Sequence, residues 1–326
     1  MRKLSRYLVL LALAVGLFGC SSKEPLDYLP AGTGYIGINV QKFYSQQGCK
    51  RLAEVLKKID PENTPPEKSD IAYVVLRDPS EGGGVYVALI GKPGSADEIF
   101  ASLQKNSRVT PVTVAGMKGY RVVPATPNPS NRNQMILVKL SDSAILASNT
   151  EAGIEEMKKA SRKKVPGAAQ SAEFMKCQTL SQENPFAFVA NVSRYTGALG
   201  TSLGPVAKAN PKAAEALSKI QVSSLTAGWD NEPKINVVAY TSDEAAARDI
   251  ATLANFMLGM QRNSLPPLLR SLVAVPSKDG ISLELTIPKE NADQWLDKLE
   301  QIVTSLPQDQ QKRMQVLTQR LPELFR

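Results

Sequence analysis

Apolar positions along the chain follow two spacings, and the alternation between them predicts a series of strands and helices. Tyr35 to Val40 is a short apolar run of strand character. Behind it, Leu52, Val55, Leu56 and Ile59 recur at i, i+3, i+4 and i+7, the spacing of an amphipathic helix over 41–59. Asp60 to Pro66 carries three prolines and ends that helix. Ile71 to Leu76 and Val85 to Ile90 read as strands around a turn with Pro79 and Gly82-Gly83-Gly84. Ser95 and Glu98 form a capping-box pattern ahead of a helix whose apolar face is Ile99, Phe100 and Leu103. Val109 to Val123 predicts two short strands around Gly116, and Met135 to Leu140 with Ala144 to Ala147 predicts a hairpin. A helix from Thr150 to Lys159, with Ile154 and Met157 inward, follows. Pro124 to Asn133 is Pro- and Asn-rich and reads as an exposed loop.

The same order then recurs. Phe186 to Val192 reads as a strand, and 211–220 as a helix with Asn210 as N-cap and Pro211 in its first turn. Ser223 to Trp229 and Ile235 to Tyr240 pair around Asp230-Asn231-Glu232-Pro233. Thr241 and Glu244 match a second capping box, and Ala246, Ile250, Leu253, Ala254, Met257 and Leu258 line one helix face. Leu272 to Val275 and Ile281 to Ile287 form a hairpin, and the closing helix carries Trp295, Leu296, Leu299, Ile302 and Val303. Tyr35 and Ala187 are 187 − 35 = 152 residues apart, as are Asp78 and Asp230 (230 − 78 = 152). The offset falls to 241 − 95 = 146 at the capping boxes and 277 − 141 = 136 at the late turns, as trimmed loops would produce.

These elements predict an α+β fold of two tandem βαββαβ repeats. Each is an extended ferredoxin-like unit with an antiparallel sheet and helices packed on one face. The expected division is 35–162 for the first repeat, 163–184 for a linker, 185–306 for the second repeat and 307–326 for a C-terminal amphipathic tail. Met314, Leu317, Leu321 and Leu324 stripe that tail until Pro322 interrupts it.

The N-terminal segment is of another kind. Arg2, Lys3 and Arg6 precede a 12-residue apolar run, Tyr7 to Phe18, too short to cross ~30 Å of hydrocarbon as a helix. Leu17-Phe18-Gly19-Cys20-Ser21-Ser22 closes it. These residues resemble the signal peptide and lipobox of bacterial lipoproteins, with Phe18 standing where a small or β-branched residue is usual. The resemblance covers about the first 22 residues. It implies a signal peptide over 1–19, cleavage before Cys20, a diacylglyceryl thioether on that sulfur with an acyl chain on the new amino terminus, and a lipidated tether over 20–34. In enterobacterial lipoproteins a residue other than Asp after the cysteine favours the outer membrane. Ser21 thus implies the outer membrane, facing the periplasm.

Composition excludes more than it assigns. The chain has no histidine, so a Ser-His-Asp triad, a Cys-His pair and imidazole zinc sites are out. With Cys20 lipidated, Cys49 and Cys177 are left, too few for a four-cysteine metal site, and no cofactor is expected. In an oxidising periplasm these two could pair, closing 177 − 49 = 128 residues for ~4–5 kcal/mol, or stay as two buried free thiols. The formal charge of +8 becomes 8 − 3 = +5 without the signal-peptide cations, which does not single out a polyanionic partner. Lys158, Lys159, Arg162, Lys163 and Lys164 read as a solvated helix end. No aromatic platform interleaves them, and nucleic acid is not expected. Gly82-Gly83-Gly84 lacks the Lys-Ser/Thr of a phosphate loop, and the pairs Asp60 with Glu62 and Asp230 with Glu232 fall in turns.

Three functions compete on this footing. The first is a membrane-anchored, non-enzymatic binding or scaffold protein of the cell envelope with a protein partner. The second is a periplasmic carrier or sensor of an apolar ligand such as a lipid, motivated by the apolar stretches Phe256 to Met260 and Leu265 to Leu269. The third, a hydrolase using Ser with Lys or a carboxylate pair, finds no spacing that singles out its residues. An unfilled apolar cavity separates the second from the first.

Overall fold

A computed structural model describes residues 24–59, 69–78, 84–104, 109–123, 134–192, 218–241, 243–263 and 272–307, with a few isolated positions besides. The expected signal peptide over 1–19, Cys20, the expected loop over 124–133 and most of the expected helix over 211–220 and of the expected tail over 307–326 lie outside them. The elements in chain order are β1 (Gly34–Asn39), α1 (Val40–Ser45), α2 (Gln47–Ile59), β2 (Ser69–Arg77), β3 (Gly84–Gly91), α3 (Ser95–Gln104), β4 (Val109–Val114), β5 (Met117–Val122), β6 (Met135–Ser141), β7 (Ala144–Ser148), α4 (Glu151–Ser161), α5 (Ala172–Glu183), β8 (Phe186–Asn191), β9 (Ile220–Trp229), β10 (Pro233–Thr241), α6 (Glu244–Gln261), β11 (Ala274–Ser277), β12 (Gly280–Thr286) and α7 (Lys289–Thr304).

Among the described residues twelve strands join one sheet, ordered β11-β12-β10-β9-β8-β1-β2-β3-β7-β6-β5-β4, with every pairing antiparallel. The chain is thus a mixed α+β protein built on a large antiparallel sheet. The seam between halves is the β1–β8 pair, where Ile36 sits opposite Phe188. Outward from the seam the strands read β1-β2-β3-β7-β6 one way and β8-β9-β10-β12-β11 the other.

This order departs from the ferredoxin-like expectation. In the split arrangement the strands joined by the first helix run parallel with a third strand between them. Here β1 and β2 are direct antiparallel neighbours, in register from Gly34–Leu76 to Asn39–Ile71. The α1–α2 excursion leaves and re-enters at one end of the sheet, so the returning strand must be antiparallel. The helices also occupy both faces rather than one. Tyr35, Tyr73, Val75, Tyr86, Ala88, Val138, Leu146, Ala187 and Val189 face α4 and α5, with Ile154, Met157, Phe174 and Cys177 packed on them. On the opposite face, α6 covers Ile281 and Ala274, while α2 and α7 cover Trp229. Runs such as Ala72-Tyr73-Val74-Val75-Leu76 are apolar at every position because both sides are covered.

Two further expectations change. The expected linker 163–184 contains α5, whose Phe174 and Cys177 are fully buried in the main core. The second capping box also shifts: Asp243, not Thr241, caps α6, its side chain accepting from Ala246 N at 2.6 Å. Thr241 Oγ1 instead donates to Asp243 O at 3.0 Å.

Close approach of α5 to the sheet depends on Gly37. A Cβ there would lie 2.6 Å from Ser181 Cβ and 2.9 Å from its Oγ. Gly37→Ala is therefore expected to cost ~1–3 kcal/mol, measured by urea unfolding. Full retention of stability would mean that α5 can shift outward freely. A second tie lies midway along α4, where Glu156 accepts from Tyr86 Oη at 2.7 Å and from both terminal nitrogens of Arg77 at 2.9 and 2.6 Å. Both charged side chains are less than a quarter exposed. Glu156→Ala removes the carboxylate that pairs with Arg77 and Tyr86 and is expected to cost ~1.5–3 kcal/mol in the same assay.

Candidate functional site

An apolar concavity forms where α2 and α7 cross one end of the sheet. Sheet alternation turns Phe186, Ala227, Trp229 and Ile235 toward the helices. Phe43 and Leu52 enter from α1 and α2, and Ile287, Ala292 and Trp295 from the α7 side. These side chains do not meet fully. They leave a cavity of about 340 Å³, open on one side and lined almost wholly by apolar surface, with Lys234 and Asn291 at its border. The volume falls at the low end of the ~300–1,000 Å³ of small-molecule sites.

Both tryptophans of the chain stand in its wall, their ring centroids 6.4 Å apart and tilted by 54°. Trp229 is held from two sides. Gln46 Oε1 accepts from its backbone N–H at 2.6 Å. Gly48 lets α2 approach so closely that a Cβ there would fall 2.2 Å from the indole. A gap that survives such close packing lacks the contacts of an ordinary core and is available to an apolar guest. Arg51, paired with Asp293 and Asp297, and Lys58, paired with Glu300 at 2.6 Å, clamp α2 to α7 along the outside. The Lys58 ammonium holds the Glu300 carboxyl below its usual range.

A second, polar concavity lies on the opposite face of the same strand ends, lined by Glu183, Thr226, Asp230, Glu232, Lys234, Asn236, Glu284 and Lys289. Strand alternation turns Thr226, Asn236 and Glu284 away from the apolar cavity, while Lys234 borders both. Asp230 and Glu232, expected in a turn, do border it from the β9–β10 turn.

The two cysteines are both free and buried, on opposite faces of the sheet. Cys49 sits on α2 in the wall of the apolar cavity, and Cys177 sits on α5 with its thiol toward Ala187 O. With the sheet between them, the Cα separation a disulfide requires is out of reach, and the free-thiol alternative describes the molecule. Burial pushes the Cys49 thiol from 9.0 up to about 11, with Asp230 adding to the rise, and the Cys177 thiol up to about 12. Burial likewise raises the phenols of Tyr73 and Tyr86. A raised folded-state value means the contribution to stability is complete below the unfolded value and is lost as pH climbs through the folded one. Stability is therefore expected to fall as pH rises from about 9 toward 12. Cys177→Ala should flatten that decline in thermal melts. An unchanged slope would assign it to Cys49 and the two tyrosines.

The other residues singled out by sequence take structural places. Lys158 Nζ donates to Ala115 O, closing the end of α4 against the β4–β5 turn, and Lys163 ends that helix at φ 56°. Gly84 opens β3, while Gly82 and Gly83 lie outside the described residues. Phe256, Met257 and Met260 are on the outer side of α6, exposed. Sequence reasoning did not pick out Trp229 or Trp295 as a pair. Only their scarcity could have flagged them.

No protein-family model matches the chain, and no curated protein is similar to it. Among solved structures, crystal forms I, III and IV of TP0453 are similar at 10–11% identity with TM-scores of 0.47–0.48. The matches cover 83–86% of this chain and 95–98% of theirs. No property of that protein passes to this chain.

Proposed function

We propose that this is a membrane-anchored binding protein of the cell envelope, without chemistry of its own, whose ligand is an apolar small molecule such as a lipid chain. The observation that carries the reading is the apolar cavity between the sheet end and the α2–α7 pair. The lipobox at Leu17 to Cys20 supports the tether and, with Ser21, an outer-membrane location facing the periplasm. Against an enzyme stand the missing histidine and the two thiols held protonated at neutral pH. A protein partner is the outcome that would replace the ligand.

We also infer that the halves are copies of one unit. The mirrored strand order supports this, as does the seam pair, because Ile36 and Phe188 are 188 − 36 = 152 residues apart, the offset read between the first strands. Equivalent residues pairing across their own axis is what a duplicated unit joined edge to edge produces. The extra β4–β5 hairpin distinguishes the first copy.

Since both tryptophans line the cavity, selectively excited tryptophan fluorescence reports on that site. Titration with a brominated fatty acid is expected to quench it saturably at one ligand per chain. Native mass spectra of protein taken from the envelope should carry an adduct of matching class. A clean apo mass together with no quenching by any apolar probe would remove the ligand and leave the scaffold.

A further inference from the structure

We infer that the ligand is a single-chain amphiphile with a zwitterionic head, its chain in the apolar cavity and its head in the polar concavity across the β9–β10 turn. The inference rests on the apolar-ligand reading above and names the class of guest. Pro185, Gly228, Trp229 and Lys234 line both spaces, so the strand ends are what separates them. Trp229 and Pro233 border the apolar cavity, and the turn between them, Asp230-Asn231-Glu232, borders the polar one. The first turn of α7 is divided likewise, with Asn291 on the apolar cavity and Lys289 on the polar concavity. Asn291 and Lys234 are the two exposed residues of the apolar lining, which puts its opening at these strand ends. A chain that enters there leaves its head beside the polar concavity.

Size limits the chain. The apolar cavity of about 340 Å³ is near the bottom of the ~300–1,000 Å³ range of small-molecule sites, which suits one acyl chain rather than two. The polar concavity, about 740 Å³, has room for the head.

Charge selects that head. Lys234 and Lys289 stand with Glu183, Asp230, Glu232 and Glu284, and none of the six has an ion-pair partner among the described residues. Two ammonium groups among four carboxylates complement a head that carries a phosphate and a primary ammonium together, and they disfavour a head that carries an anion alone. Among the described residues these carboxylates form no group able to hold a metal ion, so an organic ammonium is their better complement. Asn236 borders the same concavity, and its buried Oδ1 accepts no hydrogen bond among the described residues, which leaves an acceptor for a donor on the guest.

The test extends the tryptophan-quenching titration of the full chain. With the brominated fatty acid bound, lysophosphatidylethanolamine and lysophosphatidylglycerol of equal chain length are added as competitors below their micelle concentrations. The two differ at the head alone, a primary ammonium against a neutral glycerol. The ethanolamine lipid is expected to displace the acid at a roughly three- to tenfold lower concentration, the range a few exposed ion pairs supply. Added salt should narrow the gap. Glu183→Gln with Glu284→Gln should bring the two lysolipids level without weakening the fatty acid. Both side chains are exposed, and an unchanged thermal melt is expected to show the fold intact. Equal displacement by the two lysolipids in the unaltered protein would overturn the inference and leave the apolar ligand. A preference that survives in the double variant would overturn it as well, because the head would then be read elsewhere. No quenching by the brominated acid would overturn the apolar-ligand reading and this inference with it.

Discussion

Phe174→Ala is expected to lower the unfolding free energy by ~3–5 kcal/mol, the largest loss of any single truncation in the main core. The ring is fully buried and meets Tyr35 and Tyr73 edge-on, at centroid distances of 5.5 and 5.4 Å. Edge-to-face contacts add ~0.5–1.5 kcal/mol to what burial alone supplies. Its helix, α5, sits over the seam, touching both β1 and β8. Removal of the ring therefore leaves a hole where the two halves share one layer, and neither half can close it without sliding against the other. Urea unfolding should show a lower midpoint with an unchanged slope if the protein still unfolds in one step. A reduced slope would instead show the halves coming apart separately. A loss under about 1 kcal/mol, the centre of ordinary substitutions, would mean α5 does not bear on the core as described.

The second large effect is on binding. Ala227 is half-buried on β9 and its side chain enters the apolar cavity. Ala227→Trp puts an indole into the space of about 340 Å³ that the guest would occupy. Affinity for the brominated fatty acid is expected to fall at least about tenfold, equivalent to ~1.4 kcal/mol. Stability should hold within about 1–3 kcal/mol, the usual range for an added core side chain, because the space is already empty. The same variant separates two causes of lost binding. A stable protein with no ligand places the site in the cavity, whereas a stable protein with undiminished affinity places it elsewhere, the polar concavity on the other face included. Trp295→Phe is the complementary probe: it retains an apolar wall and should reduce the fluorescence signal more than the affinity.

Local pattern determined much of this molecule by itself. The strands at 34–39, 69–77, 84–91 and 186–191 fall where apolar runs of strand length occur, because a strand covered on both faces needs apolar residues at consecutive positions. The helices α2, α4, α6 and α7 follow their i, i+3, i+4 stripes. α5 escaped because its inward positions are Phe174, Cys177 and Ser181, so a serine breaks the stripe. That serine is satisfied locally by donating to Gln178 O at 2.9 Å, and across the core by the Tyr73 hydroxyl at 3.4 Å. Strand neighbours were also beyond sequence, since the same strand–helix–strand order suits parallel or antiparallel return, and the packing of α1 and α2 decided it.

The cavity shows the division most clearly. Trp229 and Trp295 are 295 − 229 = 66 residues apart and share no local pattern. They meet because Gly48 admits α2 to the sheet end and the Arg51 and Lys58 ion pairs hold α7 beside it. Likewise the sequence could offer two ways for Cys49 and Cys177 to exist, but only the sheet lying between them decided. Sequence alone determined the missing histidine and the order of elements, which depend on composition or on neighbours along the chain. Tertiary structure decided the single sheet, the separated thiols and the empty apolar space, because each depends on distances between residues that the chain brings together only when it folds.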